Sequence, residues 1–196
     1  VKQAYQKKFH LIWLTPFQFN SAQSPAVKSV FAKKYHLNTI SDLVPLAPHL
    51  IIGAPPEFVV LPDAMPGLKT FYGLHFAQIK ALDPGLLYQS IHENAVDVIF
   101  AFATDARIPA YHLRLLTDDK HFFPPYYAAP VIREDTLKQH PEIQAALQPL
   151  FSAINEQTMQ YLNGEVDINN KSPEEAAKAF LEKLSSSKEK IPLKHR

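Results

Sequence analysis

The chain has 196 residues, 46% of them hydrophobic and 20% charged, enough apolar material for one large domain or two small lobes with a real core. Twenty Lys and Arg against nineteen Asp and Glu leave a formal charge of +1, so no global charge points to nucleic acid or to an anionic membrane surface. The absence of cysteine excludes a disulfide framework, a thiolate metal site and a cysteine nucleophile, and five glycines with no GxGxxG or GxxxxGK pattern argue against nucleotide binding.

In chain order, Val1 to Phe9 reads as the end of a basic helix and His10 to Leu14 as a short apolar strand stopped by Thr15-Pro16. Ser24 to Tyr35 carries Val27, Val30 and Phe31 at helical spacing, which predicts a helix, and Thr39-Ile40-Ser41-Asp42 predicts a capped short helix after it. Leu50 to Ala54 is a buried strand, Pro55 to Pro66 a Pro-rich loop, Gly67 to Tyr72 a helix and Phe76 to Leu82 an alternating strand. Pro84 opens a helix through Asn94, Val96 to Ala103 is apolar enough for a central strand, and Tyr111 to Leu116 gives one more.

The stretch Asp118 to Tyr127 then separates this alternating region from a tail of different period. Asp118-Asp119 makes a turn, Pro124-Pro125 holds the chain extended, and Phe122, Phe123, Tyr126 and Tyr127 supply four rings that either wall a ligand crevice or pack as core beside a hinge. Beyond it, Ile143, Ala146, Leu147, Leu150, Phe151 and Ile154 form one helical face, Asn155 caps a helix through Leu162, and Ser172-Pro173-Glu174-Glu175 opens a helix burying Ala176, Ala177, Phe180, Leu181 and Leu184. The polar tail from Ser185 to Arg196 is expected to fray. No apolar run reaches the length of a membrane span, and no signal peptide precedes Val1, so the sequence reads as a mature form or a fragment. The whole reads as an α/β protein whose last third packs as helices on another layer.

Enzyme chemistry finds little footing. His92-Glu93 lacks the second histidine of a zinc-protease helix, there is no GxSxG elbow, and Asp118, Asp119 and His121 read as a solvated turn in preference to a metal site. Thr104-Asp105 is more informative, because polar residues just past a buried strand of an α/β sheet face the ligand crevice, or else the aspartate caps the next turn.

The order of motifs resembles that of the substrate-binding proteins of osmoprotectant ABC importers, the glycine betaine, choline and carnitine family. The matching pieces are Trp13-Leu14-Thr15-Pro16 with Asn20, Thr39 to Leu43, Pro62-Asp63, Gly67-Leu68 with Tyr72-Gly73-Leu74, Asp83 with Gly85-Leu86 and Tyr88, Val96-Asp97-Val98 running into Thr104-Asp105, Asp118-Asp119 with Phe123 to Tyr126, and Val131-Ile132-Arg133. The resemblance implies a periplasmic-binding-protein-like (type II) fold. Residues 23–124 would be one complete α/β lobe, and residues 1–22 and 125–196 a partial, mostly helical lobe lacking the family's N-terminal segment. It implies an extracytoplasmic receptor, periplasmic or membrane-anchored at the outer face of the cytoplasmic membrane, that captures a quaternary ammonium solute without covalent chemistry and delivers it to a membrane permease. No metal, cofactor or nucleic acid is expected.

In that family the cation sits among tyrosine rings, each worth on the order of 0.5 to 2 kcal/mol, because a quaternary ammonium has no N–H to donate and is held by ring faces. Here Gln23 and Phe102 fall where the family has tyrosines, Tyr126 keeps one, and Leu61 falls on an arginine that serves a ligand carboxylate. The resemblance thus assigns Phe102 and Tyr126 as ring walls, Gln23 and Thr104 as polar contacts and Asp105 as the residue orienting the crevice. An alternative reading is a binding-protein-like interaction or regulatory module with a degenerate site, and a homodimer or strand-exchanged assembly is the association the missing cover favours.

Overall fold

The computed structural model describes the backbone of residues 1–189 and the side chains of residues 1–186. In chain order the elements are α1 (Lys2–Phe9), β1 (Leu11–Trp13), β2 (Gln23–Lys28), α2 (Ser29–Tyr35), α3 (Ile40–Leu43), a 3-10 turn (Ala47–His49), β3 (Ile51–Ala54), α4 (Pro56–Val60), α5 (Met65–Tyr72), β4 (Gln78–Ala81), α6 (Pro84–His92), β5 (Val98–Phe102), α7 (Arg107–Ala110), β6 (Leu113–Leu115), β7 (Val131–Arg133), α8 (Glu134–Gln139), α9 (Glu142–Ala153), α10 (Glu156–Asp167) and α11 (Pro173–Glu189). They divide into two compact units, Ala22–Pro125 and Val1–Ser21 with the described residues from Tyr126 on.

The Ala22–Pro125 unit is built on a five-stranded sheet of order β4-β3-β5-β2-β6, in which β3 runs parallel to β4 and β5 while β2 is antiparallel to both β5 and β6. The apolar run of β5 is explained by two covered faces. Val98 and Phe100 join one core cluster with Leu43, Ile52 and Leu68, whereas Ile99 and Ala101 join the other with Leu87, Ile91 and Leu113. Local signals set the helix ends. Thr39 accepts the Asp42 amide at 3.2 Å while Asp42 takes the Thr39 amide at 2.8 Å, a reciprocal capping box. Asp83 accepts the Gly85 amide at 2.9 Å with Pro84 at the first helical position, and Gly73 ends α5 at φ 74°.

The expected helix from Ser24 needs correction, since residues 23–28 are β2 and only Ser29–Tyr35 is helical. Ser24, Pro25, Ala26 and Val27 are all buried, so the strand shows no alternation, and the spacing of Val27, Val30 and Phe31 imitates a helical stripe across a strand-to-helix junction. The Pro-rich loop likewise contains α4, with Pro56 at its start and Phe58 buried.

The other unit holds an antiparallel pair, β1 with β7, in register Leu11↔Arg133 to Trp13↔Val131, together with α1 and α8 to α11. The strand Val131–Arg133 is the non-helical exception, among the described residues, in a region expected to be mostly helical. Asn155 caps α10 by accepting the Thr158 amide at 2.9 Å, and Ser172 and Glu175 form the expected capping box of α11. Ala177 and Leu181 lie exposed and are not part of the buried face of α11, which runs through Ala176, Ala179, Phe180 and Leu184. Residues 185–189 of the tail continue α11, and 190–196 lie outside the described residues. No helix among the described residues is long and apolar enough to cross a membrane.

Candidate functional site

Because β3 and β5 are parallel and β2 is antiparallel to β5, the C-terminal ends of β3 and β5 and the start of β2 share one edge of the sheet. This edge collects five of the residues singled out from the sequence. Gln23 and Phe102 are directly paired across β2 and β5, Gln23 half-buried and Phe102 with 47% of its surface exposed. Ala103 donates to the Ala22 carbonyl at 3.0 Å and Asp105 to the Phe102 carbonyl at 3.0 Å, so the chain turns tightly after β5 and buries Thr104. Leu61 ends α4, the helix leaving the same edge from β3, and is exposed.

Asp105 is committed to this turn. Its Oδ1 accepts the Arg107 amide at 2.9 Å and its Oδ2 lies 3.9 Å from the Arg107 guanidinium, which in turn sits 5.4 Å from the Tyr88 ring centroid. The buried Tyr88 hydroxyl has no partner at bonding distance among the described residues. Burial first, then the Asp105 carboxylate, push its pKa up. The geometry therefore contains the turn-capping role for Asp105, and that role fixes the path of the backbone beside Phe102 and Thr104.

The carboxylates of the aromatic stretch are also spent on the fold. Asp118 accepts the Tyr72 hydroxyl at 2.5 Å and the Phe122 and Phe123 amides at 3.1 and 2.8 Å, while Asp119 takes the Ser41 hydroxyl at 2.6 Å. Burial and the bond to Asp118 push Tyr72 up, and the Ser41 hydroxyl and amide hold Asp119 below its usual range against the opposing effect of burial. No group of His, Asp and Glu that could hold a metal occurs among the described residues. The four rings sort into two kinds. Phe122 and Phe123 pack on the core of the Ala22–Pro125 unit, with Phe123 6.5 Å from Phe58, which lies 4.2 Å from Phe100. Tyr126 and Tyr127 are 51% and 54% exposed.

Tyr126 begins the second passage of the chain through the other unit. Its amide donates to Asn20 Oδ1 at 2.7 Å and its carbonyl accepts from the Ser21 amide at 3.2 Å. The sequence offered Asn20 only as a motif position. Its hydrogen bond to Tyr126 spans the whole intervening unit and leaves no local pattern.

Against known proteins, the chain matches, over residues 1–183, the OpuAC family, described as the substrate binding domain of ABC-type glycine betaine transport systems. The chain belongs to this family. It is 39% identical over 94% of its length to the ergothioneine transport permease/ergothioneine binding protein EgtU of Helicobacter pylori (strain G27), of which it spans 33%. It is 35% identical over 93% of its length to the carnitine transport binding protein OpuCC of Listeria monocytogenes (strain 10403S), of which it spans 60%. Among solved structures, a glycine betaine/carnitine/choline ABC transporter protein aligns at TM-score 0.89 and 36% identity, covering 93% of this chain and 67% of that one. The lactococcal OpuAC complex with glycine betaine, at 22% identity and TM-score 0.59, shares the fold. The resemblance read from the motifs and the periplasmic-binding-protein-like fold are thereby borne out: this is an OpuAC-type substrate-binding domain, from a family that binds solutes.

Proposed function

We propose that this OpuAC-type domain captures a quaternary ammonium solute on the outer side of the cytoplasmic membrane and hands it to the membrane permease of an ABC importer. The observation that carries the reading is Phe102, a phenyl ring left 47% exposed at the C-terminal end of a central strand, paired with Gln23 and beside a turn fixed by Asp105. An exposed ring at that position offers the face a permanent cation needs, and Tyr126 offers a second. Gln23 and Thr104 supply polar contacts, and Asp105 acts through the backbone it holds. Leu61 offers no charge to a ligand carboxylate, which favours a cation without one.

The relationship to the Helicobacter pylori protein supports a second reading of the solute as ergothioneine, a trimethylammonium betaine. Titration calorimetry with choline, glycine betaine and ergothioneine tests both readings. Binding of choline supports the first, selective binding of ergothioneine the second, and no heat with any of them in a folded protein overturns the capture of such solutes. Within the first reading, Tyr126→Ala is expected to weaken binding and Tyr126→Phe to be mild, because the ring face and not the hydroxyl holds the cation. Equal losses in both variants would assign the contact to the hydroxyl.

A further inference from the structure

We infer that Asn20 is the positioning residue for Tyr126: it fixes the backbone from which that ring projects and ties it to the start of α10. The inference rests on the reading of Tyr126 as a ring wall. The segment Phe17 to Asn20 is held on two sides within its own unit. On one side it runs antiparallel to the returning chain, with the Phe17 amide on the Ala128 carbonyl at 2.9 Å, a bridge between Asn20 and Tyr127, and the Ser21 amide on the Tyr126 carbonyl at 3.2 Å. On the other it runs parallel to Ile154–Asn155, with the Gln18 amide on the Ile154 carbonyl at 3.1 Å.

At the end of this segment the backbone ladder alone cannot hold Tyr126. The Tyr126 amide follows two prolines, which offer no N–H of their own, and it is met by a side chain, Asn20 Oδ1, at 2.7 Å. The Asn20 amide meanwhile donates to Glu156 Oε1 at 3.4 Å, in the first turn of α10, whose cap is the neighbouring Asn155. One residue therefore links the outgoing strand, the returning strand and a helix start, at the point where Tyr126 leaves the Pro124-Pro125 pair. A half-exposed tyrosine gets little orientation from packing, so its direction follows from its backbone.

The test uses the full chain with choline as probe, together with hydrogen exchange at the Tyr126 amide in the free protein. Asn20→Ala is expected to speed exchange at that amide and to weaken choline binding about five- to tenfold, the size of effect that loss of one well-made hydrogen bond produces. In the Tyr126→Ala background the same substitution should cost no further affinity, which a general loss of stability would not reproduce. Asn20→Asp, made with Glu156→Gln to avoid placing two carboxylates together, keeps an acceptor for the Tyr126 amide and should restore slow exchange and binding. Loss on Tyr126→Ala without loss on Asn20→Ala overturns the positioning role, as does an equal loss from Asn20→Ala in both backgrounds. If Tyr126→Ala leaves choline binding intact, it is the reading of Tyr126 that fails, and the amide exchange still reports whether Asn20 holds this backbone.

Discussion

The Ser24 hydroxyl donates to the Leu116 carbonyl at 2.5 Å, in a buried position where the N–H of Pro25 would have served. Pro25 lies inside β2, a strand with neighbours on both sides, where proline is normally excluded because it leaves a ladder acceptor unpaired. The Leu116 amide still donates to the Pro25 carbonyl at 2.9 Å, so half of the usual pair survives and Ser24 completes the other half. Ser24→Ala is therefore expected to leave a buried carbonyl unsatisfied and to cost about 1 to 3 kcal/mol, read as a lowered urea midpoint. An unchanged midpoint would mean that another donor reaches Leu116.

This substitution for a missing amide also shows why β2 is hard to read in the sequence. Its residues are covered on both faces and include a proline, so alternation and propensity both fail, and what makes it a strand is pairing with Val98 to Phe102 and Leu113 to Leu115 far along the chain. The capping boxes at Thr39 and Ser172 were legible because they are closed within four residues. The proposed site divides in the same way. Thr104 and Asp105 could be picked out as the end of an apolar strand and Phe102 through the family resemblance, while the pairing of Gln23 with Phe102 and the hold of Asn20 on Tyr126 depend on the tertiary fold. The exposed side of α11 is not legible in the sequence, because Ala177 and Leu181 continue its apolar pattern yet lie exposed.

Acid should loosen the Ala22–Pro125 unit first at the α3 end. Asp42 is held below the usual aspartate value of 3.8 by the Asn38 and Thr39 amides and the Thr39 hydroxyl, and Asp119 is held low by Ser41. A carboxyl whose pKa is depressed on folding stabilises fully above its unfolded value, and that contribution is lost as pH falls through the folded value. Urea midpoints should therefore hold steady well above 3.8 and fall below it, with a shallower fall in Asp42→Asn. An acid response identical in that variant would remove Asp42 from the account.

Gly67 sits inside α5 where an added Cβ would lie 2.5 Å from the Pro62 carbonyl oxygen and 2.6 Å from Cζ of Phe122. Alanine is the better helix former by about 1 kcal/mol, so propensity alone predicts that Gly67→Ala stabilises. Overpacking costs about 1 to 3 kcal/mol, and because one of the two contacts is backbone, sterics should win and the melting temperature should drop. A rise would show that α5 shifts away from Pro62 with little penalty.

Leu61 makes the choice of solute testable. If the site holds a cation through rings and offers no charge to a carboxylate, choline should raise the melting temperature more than glycine betaine at equal concentration. At about a hundred times its dissociation constant a ligand stabilises by roughly 2.7 kcal/mol, well within reach of a thermal scan. A larger shift with betaine would mean that a cation elsewhere in the domain takes the carboxylate. In that case Leu61→Arg should add nothing to betaine binding, whereas it should strengthen it if Leu61 faces the solute.

The last expectation concerns β1. Its bonded pairs with β7 fall at even positions, since the Leu14 amide reaches the Pro130 carbonyl at 3.0 Å and the Glu134 amide reaches the His10 carbonyl at 2.8 Å. In an antiparallel ladder the alternate residues then point their amides away, which turns the N–H and C=O groups of Leu11 and Trp13 to the open side of β1. Trp13 Nε1 is buried with no partner among the described residues, and Phe9 at the end of α1 and Val131, paired with Trp13 across the ladder, are 60% and 41% exposed. Two strands with an unpaired edge are marginal alone and invite a third. The 196-residue chain should accordingly associate, with a scattering mass behind size exclusion that rises with concentration, and Leu11→Lys should reduce it by placing a charge on the edge. A single monomer peak at every concentration would show that α1 or another element already closes this side of the sheet.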